Sequence, residues 1–369
     1  VPVARTIPER VFRVLFRGEV VAEVPTEALA EAPTYVRVGR EDPEVRRLRE
    51  TPIPPLEADP QEVLRRLLAS PNLASREAVY ERYDHQVGTR TALLPGKGDA
   101  AVLWIKGTRL GVAAKVDQNP RYSRLHPRLG AMHALAEACR NVSVVGAKPL
   151  AYTDGLNLGS PETPEGYHEL AETIAGLKEA TAAMVGVVGV LEVDKRAEMG
   201  FRRPGEVLLL IGEERGELGA SEVLYLLTGK EFGHPPRLDL GREKAVQEAI
   251  RDLIQRGLTR TAHDVAEGGL LLALAEMTFP YGVGATVEVR EEGLEALFGE
   301  APSRVLFTVE KTRLQEATLL LEERGLPYRV LGETGGKSLT VLTPGGVLEW
   351  SLEELLSAWK APLREVLDG

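Results

Sequence analysis

Pro95-Gly-Lys-Gly-Asp99-Ala-Ala-Val102 opens a stretch in which acidic and amide residues recur among Gly, Ala and Val. Its glycines let the backbone come close to a ligand, and the apolar residues that follow predict a strand. Further strands are predicted over 110–116 and 150–153, and they lead into Asp117-Gln-Asn119 and Asp154-Gly-Leu-Asn157. The stretch therefore predicts side-chain oxygens at the ends of several strands.

A helix predicted over 130–142 adds a third source of polar groups. Its apolar residues recur at helical spacing and form one buried stripe: Met132, Leu135, Ala136, Cys139 and Val142. His133, Glu137 and Asn141 follow one another at intervals of four residues, so they stand in one row on another face. Oxygen ligands from two strand ends and one helix face suit a hard cation such as Mg²⁺. Taken one at a time, the same residues also fit a solvated helix face and ordinary turn chemistry.

The composition is that of a globular protein with a negative balance of charge. The chain has 369 residues, 43% hydrophobic and 27% charged, with a net charge of -10. This length suffices for two or three domains, and the charge argues against nucleic acid as the main partner. The single cysteine, Cys139, excludes an internal disulfide framework and fits a reducing compartment. Since neither a membrane span nor a signal peptide is visible, we expect a cytoplasmic protein without membrane contact.

The two ends of the chain share one local design. Residues 12–29 read as a hairpin followed by a short helical turn, and residues 339–355 repeat this design with one residue fewer after the turn. Because an isolated hairpin is barely stable, each copy is expected to close a larger domain. We interpret residues 1–30 as the tail of a preceding repeat module. On this interpretation the chain is the carboxyl-terminal half of a longer, internally duplicated protein.

Three segments are predicted after this tail. Residues 31–57 are rich in proline and charge and are predicted to be a linker, residues 58–200 to form a first domain, and residues 201–369 a second. Inside the first domain, a helix predicted to end at Ala183 runs directly into a strand pattern that begins at Met184. No Gly, Pro or Asn turn separates the two, although a chain reversal needs residues to make it. We therefore expect a loop to be missing at this junction.

The second domain contains one further candidate binding feature. The strand predicted over 206–212 is apolar within, which indicates a buried central position. Thr261-Ala-His-Asp264-Val-Ala-Glu-Gly268-Gly then leads into an apolar helix. Such a helix start presents backbone N–H groups to an anion. A capped, buried helix with Asp264 as its cap is the alternative interpretation.

Six motifs, in this order, carry a resemblance to one enzyme family. They are Gly98-Asp-Ala-Ala101, Asp117-Gln-Asn-Pro-Arg-Tyr122, Glu137-Ala-Cys-Arg-Asn141, Gly146-Ala-Lys-Pro149, Thr153-Asp-Gly-Leu-Asn157 and Ala262-His-Asp-Val-Ala-Glu-Gly-Gly269. The chain resembles phosphoribosylformylglycinamidine synthase, specifically the second half of its small-type synthetase subunit, over nearly its whole length. The resemblance implies an α/β (α+β) fold of two domains like that of aminoimidazole ribonucleotide synthase. In such a fold, a strand domain that forms half of a barrel is followed by an α/β layered domain.

The resemblance also implies a reaction. The family spends ATP to activate the formamide oxygen of formylglycinamide ribonucleotide, and ammonia then displaces the phosphate to give the amidine. This is an ATP-dependent carbon–nitrogen ligase reaction of purine biosynthesis. Ammonia comes from a separate glutaminase subunit, and a small third subunit joins the complex. Mg²⁺ is expected to shield the phosphate charge.

Site residues are carried over from the family motifs by position. Asp154 matches an ATP-contacting aspartate, and Gly98 and Ala266 are further expected nucleotide-binding positions. Magnesium ligands of a second, pseudo-symmetric nucleotide site are matched by Asp99, Glu137, Asn141 and Asp264.

The departures from the family are equally informative. The family has a Gly-Gly-Asn-Val-Ser motif after its long helix, and this chain has none, with the gap at the junction of Ala183 and Met184. The family's catalytic histidines lie in the first half, so no catalytic residue is expected here and the chain alone is predicted to be inactive. Without a partner half, a homodimer is predicted. Two alternatives stay open, namely a nucleotide-binding scaffold and a small-molecule kinase of the same fold.

Overall fold

The computed structural model describes residues 3–31, 35–183 and 187–368. Their strands form a two-stranded hairpin, a five-stranded sheet and a seven-stranded sheet. Within these residues, every helix is too short or too polar to span a bilayer.

The strands, in chain order, are Val11–Phe16 (β1), Glu19–Pro25 (β2), Thr91–Leu93 (β3), Ala101–Trp104 (β4), Leu110–Ala114 (β5), Lys148–Ala151 (β6), Val188–Glu192 (β7), Val207–Ile211 (β8), Thr261–Asp264 (β9), Ala285–Glu288 (β10), Val305–Val309 (β11), Tyr328–Thr334 (β12), Ser338–Thr343 (β13) and Gly346–Ser351 (β14). The α-helices are Thr26–Ala30 (α1), Pro43–Glu50 (α2), Pro60–Leu68 (α3), Glu77–Tyr80 (α4), Pro120–Leu125 (α5), Pro127–Val144 (α6), Pro164–Ala183 (α7), Glu222–Thr228 (α8), Leu240–Gln255 (α9), Gly269–Thr278 (α10), Leu294–Phe298 (α11), Leu314–Glu323 (α12) and Leu352–Asp368 (α13).

The five-stranded sheet is antiparallel throughout, in the order β3-β4-β5-β7-β6. Alternate residues of its strands point toward α6 and pack against Val142 of that helix and Val145 just after it: Leu93, Val102, Ala113 and Leu191. The opposite face carries apolar residues that stay exposed, among them Leu103, Leu110 and Val188. One face of this sheet is therefore covered by the chain, whereas the other is not.

The seven-stranded sheet has the order β14-β13-β10-β12-β8-β11-β9, and only β10 and β13 pair in parallel. Helices cover both of its faces. Leu208 and Leu210 of β8 contribute to a core with α3 and α10, whereas Leu209 contributes to a second core with α9 and α12. All five residues of β8 are buried, as its apolar sequence predicted.

Helix α6 lies between the two large sheets, since Val142 packs in the core of the first and Val144 in a core of the second. The helix begins at Pro127, a residue favoured in the first turn. Close backbone approaches at two glycines fix the positions of α5 and α7 against α6. A Cβ on Gly130 would lie 2.5 Å from the Ser123 backbone of α5, and one on Gly176 of α7 would lie 2.1 Å from Arg128 O. Glycine at both positions lets α6 pack tightly.

The predicted linker contains a helix that the sequence analysis missed. Asp42 caps α2, and Leu48 of that helix packs with Tyr122 and Leu125 of α5. The predicted domain boundaries also cut across the packing, because α3 falls in the first predicted domain, residues 58–200, but shares a core with β8 of the second. These boundaries stay a prediction. So does the missing loop, since Met184 and the two residues after it lie outside the described residues.

Candidate functional site

The candidate site lies where α6 passes between the two sheets. Asp99 precedes β4, and Asp117 follows β5, so both belong to the five-stranded sheet. Asp264 is the last residue of β9, at an edge of the seven-stranded sheet. Glu137 and Asn141 stand on α6 one turn apart. Three elements thus bring carboxylate and amide groups to one region of the molecule.

Asp99 and the end of β9 are joined by direct contacts. The Asp264 backbone N–H donates to Asp99 Oδ2 at 2.8 Å, and His263 Nδ1 lies 2.7 Å from Asp99 Oδ1. The other ring nitrogen of His263, Nε2, lies 3.2 Å from Glu276 Oε2. Burial opposes the charged imidazolium, but the neighbouring Asp99 and Glu276 carboxylates outweigh it and raise the pKa of His263 to about 10. His263 therefore bridges the Asp99 and Glu276 carboxylates, which stabilise its protonated form.

Asp264 is held by a buried arginine. Arg140 of α6 donates through Nε and Nη2 to the two oxygens of Asp264, the second at 3.2 Å, and through Nη1 to Glu243 Oε1 at 2.8 Å. Burial raises the pKa of Asp264, and the Arg140 guanidinium opposes that rise. The alternative interpretation of Asp264 as a helix cap is wrong, because Gly268 occupies the cap position of α10.

Glu137 and Asn141 face a different set of groups. Asn141 Nδ2 donates to Asp117 Oδ2 at 3.0 Å, and Lys115 Nζ lies 3.8 Å from the same oxygen. Glu137 receives no hydrogen bond from any part of the chain that the structure describes. Burial and the nearby Glu267 carboxylate raise the pKa of Glu137 well above its ordinary range. Burial likewise raises the pKa of Glu267, to about 8.

The amino terminus of α10 is occupied by a side chain of the protein, the carboxyl group of Glu300. Gly268, at φ +75°, turns the chain into the helix, and its N–H donates to Glu300 Oε1 at 3.0 Å. Glu300 also accepts from the Glu222 backbone N–H at 2.8 Å and from the Tyr122 hydroxyl. Ala266, just before this turn, lines a small polar cavity of about 10 Å³ with Glu137 and Glu267. That volume is close to the room one water needs.

Of the remaining predicted nucleotide residues, Asp154 lies away from the cluster, whereas Gly98 lies beside Asp99. Asp154 is exposed in the loop after β6 and lines an open cleft of about 630 Å³ with Tyr152, Lys178 and Thr181. Gly98 lines a separate cleft of about 300 Å³, together with its neighbour Asp99. A Cβ on Gly98 would contact the end of the Leu93 side chain of β3, which would have to shift to make room for it.

The structure thus brings Asp99, Glu137, Asn141 and Asp264 into one cluster, while Asp154 lines a different cleft. Sequence reasoning named Asp117 as a strand-end oxygen but missed four further groups in this cluster: Lys115, Arg140, His263 and Glu267. Most of them stand inside the quoted motifs, which was the available signal.

The cluster has the donor types that a divalent ion needs. Its carboxylates outnumber its cations, and Glu137 is left without a hydrogen bond among the described residues, so the donor chemistry fits a hard cation. The positions of these side chains do not by themselves form a coordination shell. Across residues 3–31, 35–183 and 187–368, no three His, Cys, Asp or Glu side chains converge on one ion position.

The sequence matches two domain models of one family. Residues 97–190 match the AIR synthase related protein, N-terminal domain, and residues 203–343 match the AIR synthase related protein, C-terminal domain. The chain belongs to the AIR synthase related protein family, which confirms the resemblance and the fold class predicted from the motifs.

Within this family the chain is similar to one particular subunit. It is 93% identical to phosphoribosylformylglycinamidine synthase subunit PurL of Thermus thermophilus, over 100% of this chain and 54% of that protein, in its carboxyl-terminal half. The chain spans about half the length of the curated relatives it matches. The Thermus alignment has 394 positions and this chain 369 residues, a difference of 25 positions that hold no residue of this chain.

Two solved structures of T. maritima PurL share the fold. The one complexed with FGAR has a TM-score of 0.65 at 18% identity and covers 83% of this chain and 54% of that chain. The one complexed with ATP has a TM-score of 0.65 at 20% identity, with 83% and 53% covered. At these identities the likeness concerns the fold alone.

Proposed function

We propose that the chain is the second half of a synthetase that converts formylglycinamide ribonucleotide to formylglycinamidine ribonucleotide at the expense of ATP. The observation that carries this proposal is the 93% identity to a PurL subunit along the whole chain. Two structural neighbours are PurL complexes, one with FGAR and one with ATP, which is consistent with this substrate pair. The proposed activity is a ligase step of purine biosynthesis in the cytoplasm.

ATP and Mg²⁺ are the proposed cofactors. Asp154, at its cleft, is proposed to approach the nucleotide, with Gly98 and Ala266 at further nucleotide contacts. Asp99, Glu137, Asn141 and Asp264 are proposed to surround the ion of a second nucleotide site. Bound Mg²⁺ would shield the phosphate charge. The surplus of carboxylates over cations in the cluster supports a positive ligand there.

The active site of this chain is proposed to be incomplete. The sequence has no Gly-Gly-Asn-Val-Ser segment, and the Thermus alignment holds 394 positions against 369 residues here. We place the shortfall at the junction of Ala183 and Met184, where the sequence lacks a turn. We expect the reaction to need this segment together with the preceding half of the protein.

Three kinds of partner are proposed. The first is the missing half, or a second copy of this chain, seated on the bare face of the five-stranded sheet around Leu103, Leu110 and Val188. The others are a glutaminase subunit that supplies ammonia and a small third subunit of the complex. No contact with nucleic acid or membrane is proposed.

The test is an ammonia-dependent assay of ADP formation with formylglycinamide ribonucleotide. We expect no turnover by the chain alone, and turnover once the amino-terminal half and the missing segment are supplied. Asp154→Asn should weaken ATP binding measured by calorimetry, whereas Lys106→Gln, an exposed change, should not. Full turnover by the chain alone would contradict the incomplete site, and absence of ATP binding to the complete protein would contradict the proposed function.

A structural scaffold is the second candidate. The observation that favours it is the engagement of Asp99 and Asp264 by His263 and Arg140, which suits a holding role. A nucleotide retained through purification, without turnover in the complete protein, would support it over catalysis.

A further inference from the structure

The cleft beside Asp154 combines an apolar wall with a small set of polar groups. Its volume is about 630 Å³, and sites for small molecules commonly have about 300–1,000 Å³. Leu156 and Ile174 line the apolar part, where Ile174 is 51% exposed. Four polar side chains complete the wall: Tyr152, Asp154, Lys178 and Thr181. A ring with hydrogen-bonding groups and a negative charge fits such a wall.

Tyr152 is held in place at this wall by its ring and by its hydroxyl. The ring packs beside Leu177 of α7 on a core to which α6 contributes Met132 and Leu135. The hydroxyl oxygen, Oη, lies 3.1 Å from Thr181 Oγ1. Because both ends of the side chain are fixed, Tyr152 Oη has one preorganised position at the cleft.

Thr181 decides which of the two hydroxyls donates in this contact. The Thr181 hydroxyl also donates to Leu177 O, one turn earlier in α7, at 2.6 Å. A threonine hydroxyl carries a single hydrogen, and the contact with Leu177 is the shorter of the two. Thr181 therefore accepts from Tyr152, so the hydroxyl hydrogen of Tyr152 is already used within the protein.

The remaining hydrogen-bonding capacity of Tyr152 is that of an acceptor. A phenolic oxygen that donates its hydrogen can still accept one. Within the part of the chain that the structure describes, Thr181 is the one hydrogen-bond partner of Tyr152 Oη. The exposed Asp154 carboxylate, two residues further along, also accepts. A ligand must therefore bring N–H or O–H groups to this part of the cleft, since a ligand oxygen placed there would stay unpaired.

We propose that Tyr152 is a specificity-determining residue of the Asp154 cleft, and that its oxygen accepts a hydrogen bond from an N–H or O–H group of a bound nucleotide. The inference rests on the proposed function for the ligand being a nucleotide. The exocyclic amino group of adenine and the ribose hydroxyls share this donor chemistry. A site built around a fixed acceptor binds an analogue without the donor more weakly, because the acceptor is left without a partner.

The experiment measures nucleotide binding to the full chain by calorimetry. The probes are ATP, ITP, 2′-deoxyATP and 3′-deoxyATP. ITP has a carbonyl oxygen in place of the amino group, and each deoxy analogue lacks one ribose hydroxyl. We expect one of the three analogues to bind about three- to tenfold more weakly than ATP, which identifies the donor that Tyr152 contacts.

Two substitutions assign this discrimination to the Tyr152 hydroxyl. Tyr152→Phe should weaken ATP by the same three- to tenfold factor and leave the weak analogue unchanged, so that the discrimination disappears. Thr181→Val should reduce the discrimination, since the Tyr152 hydroxyl is no longer held, whereas Thr181→Ser should keep it. Tyr167→Phe is the matched control. Tyr167 is half-buried like Tyr152 and lies near the other end of α7, outside the lining of the cleft.

The outcomes separate this inference from the proposed function. If Tyr152→Phe removes the discrimination but the complete protein does not convert formylglycinamide ribonucleotide, the inference stands and the proposed function fails. If the complete protein performs the conversion but Tyr152→Phe binds all four nucleotides as Tyr167→Phe does, the inference is overturned. Equal weakening of all four nucleotides by Tyr152→Phe, or a parent chain that binds none of them, also overturns it.

Discussion

The two large sheets differ in what covers their faces. The seven-stranded sheet has helices on both sides, and every residue of β8 and β11 is buried. The five-stranded sheet is covered by α6 on one side, and its other side leaves Leu103 49% exposed. The seven-stranded sheet is covered by its own chain, whereas the five-stranded sheet presents the kind of apolar surface that a partner buries.

The largest expected effect concerns the covered sheet. Phe307 of β11 is fully buried in the core with α9 and α12, so Phe307→Ala should lower the free energy of unfolding by about 3–5 kcal/mol. Leu103→Ala, on the bare face, should change it by less than about 0.5 kcal/mol in dilute protein. Urea-induced unfolding measures both. Similar losses for the two variants would mean that the faces do not differ as described.

A second prediction concerns a pH-sensitive contact between α6 and the segment that precedes α9. His133 of α6 donates from Nε2 to Pro236 O at 2.7 Å, and burial lowers the pKa of His133 to about 4. The unfolded chain therefore binds more protons between about pH 4 and 6.5. The stabilisation of the folded state by neutral, buried His133 is complete above about pH 6.5. It is lost as the pH falls toward 4, which lowers the free energy of unfolding by up to about 3 kcal/mol.

His133→Gln checks this prediction, because the Gln amide can still donate to Pro236 O but does not titrate. Unfolding free energies measured from pH 7 to 4.5 should fall less steeply for His133→Gln than for the parent. His85→Gln, at an exposed position, is the control and should keep the parental slope. Equal slopes for His133→Gln and the parent would contradict the assigned pKa.

The third prediction concerns self-association through the bare face. We expect the chain to be a homodimer by light scattering at micromolar concentration, because burial of this apolar face stabilises the pair. Leu103→Asp should shift the protein to a monomer, since it would bury an unpaired carboxylate. Glu192→Gln, a milder change at the margin of the same sheet, is the control. A monomeric parent would rule out the homodimer.

The sequence predicted the elements whose pattern is local. The apolar run of β8 and the stripe of α6 were visible because burial on both sides, or on one side of a helix, leaves a regular spacing. The strand β9 was missed, since its four residues include His263 and Asp264 and show no strand alternation. Its position is fixed by pairing with β11, which no local pattern records.

The candidate site was predicted only in part, and Arg140 shows why. A charged residue on a helix is ordinarily solvated, so its burial could not be expected from spacing. Its partners Glu243 and Asp264 stand more than a hundred residues away, on α9 and β9. The sequence placed ligand-type residues in motifs, but the ion pairs that fix them depend on how the sheets meet.

The smallest expected effect is in the hairpin of β1 and β2, which follows the design of β13 and β14. Phe16 of the first hairpin is 63% exposed, whereas Trp350 of the second is 1% exposed and donates its ring N–H to Gln61 O at 3.2 Å. Phe16→Ala should therefore change the free energy of unfolding by less than about 0.5 kcal/mol, and Trp350→Ala, at a buried aromatic residue of the second hairpin, should cost about 3–5 kcal/mol. Urea-induced unfolding of dilute protein again provides the measurement. A loss above about 1 kcal/mol for Phe16→Ala would mean that the first hairpin is packed as the second is, and the difference between covered and bare strands would not extend to it.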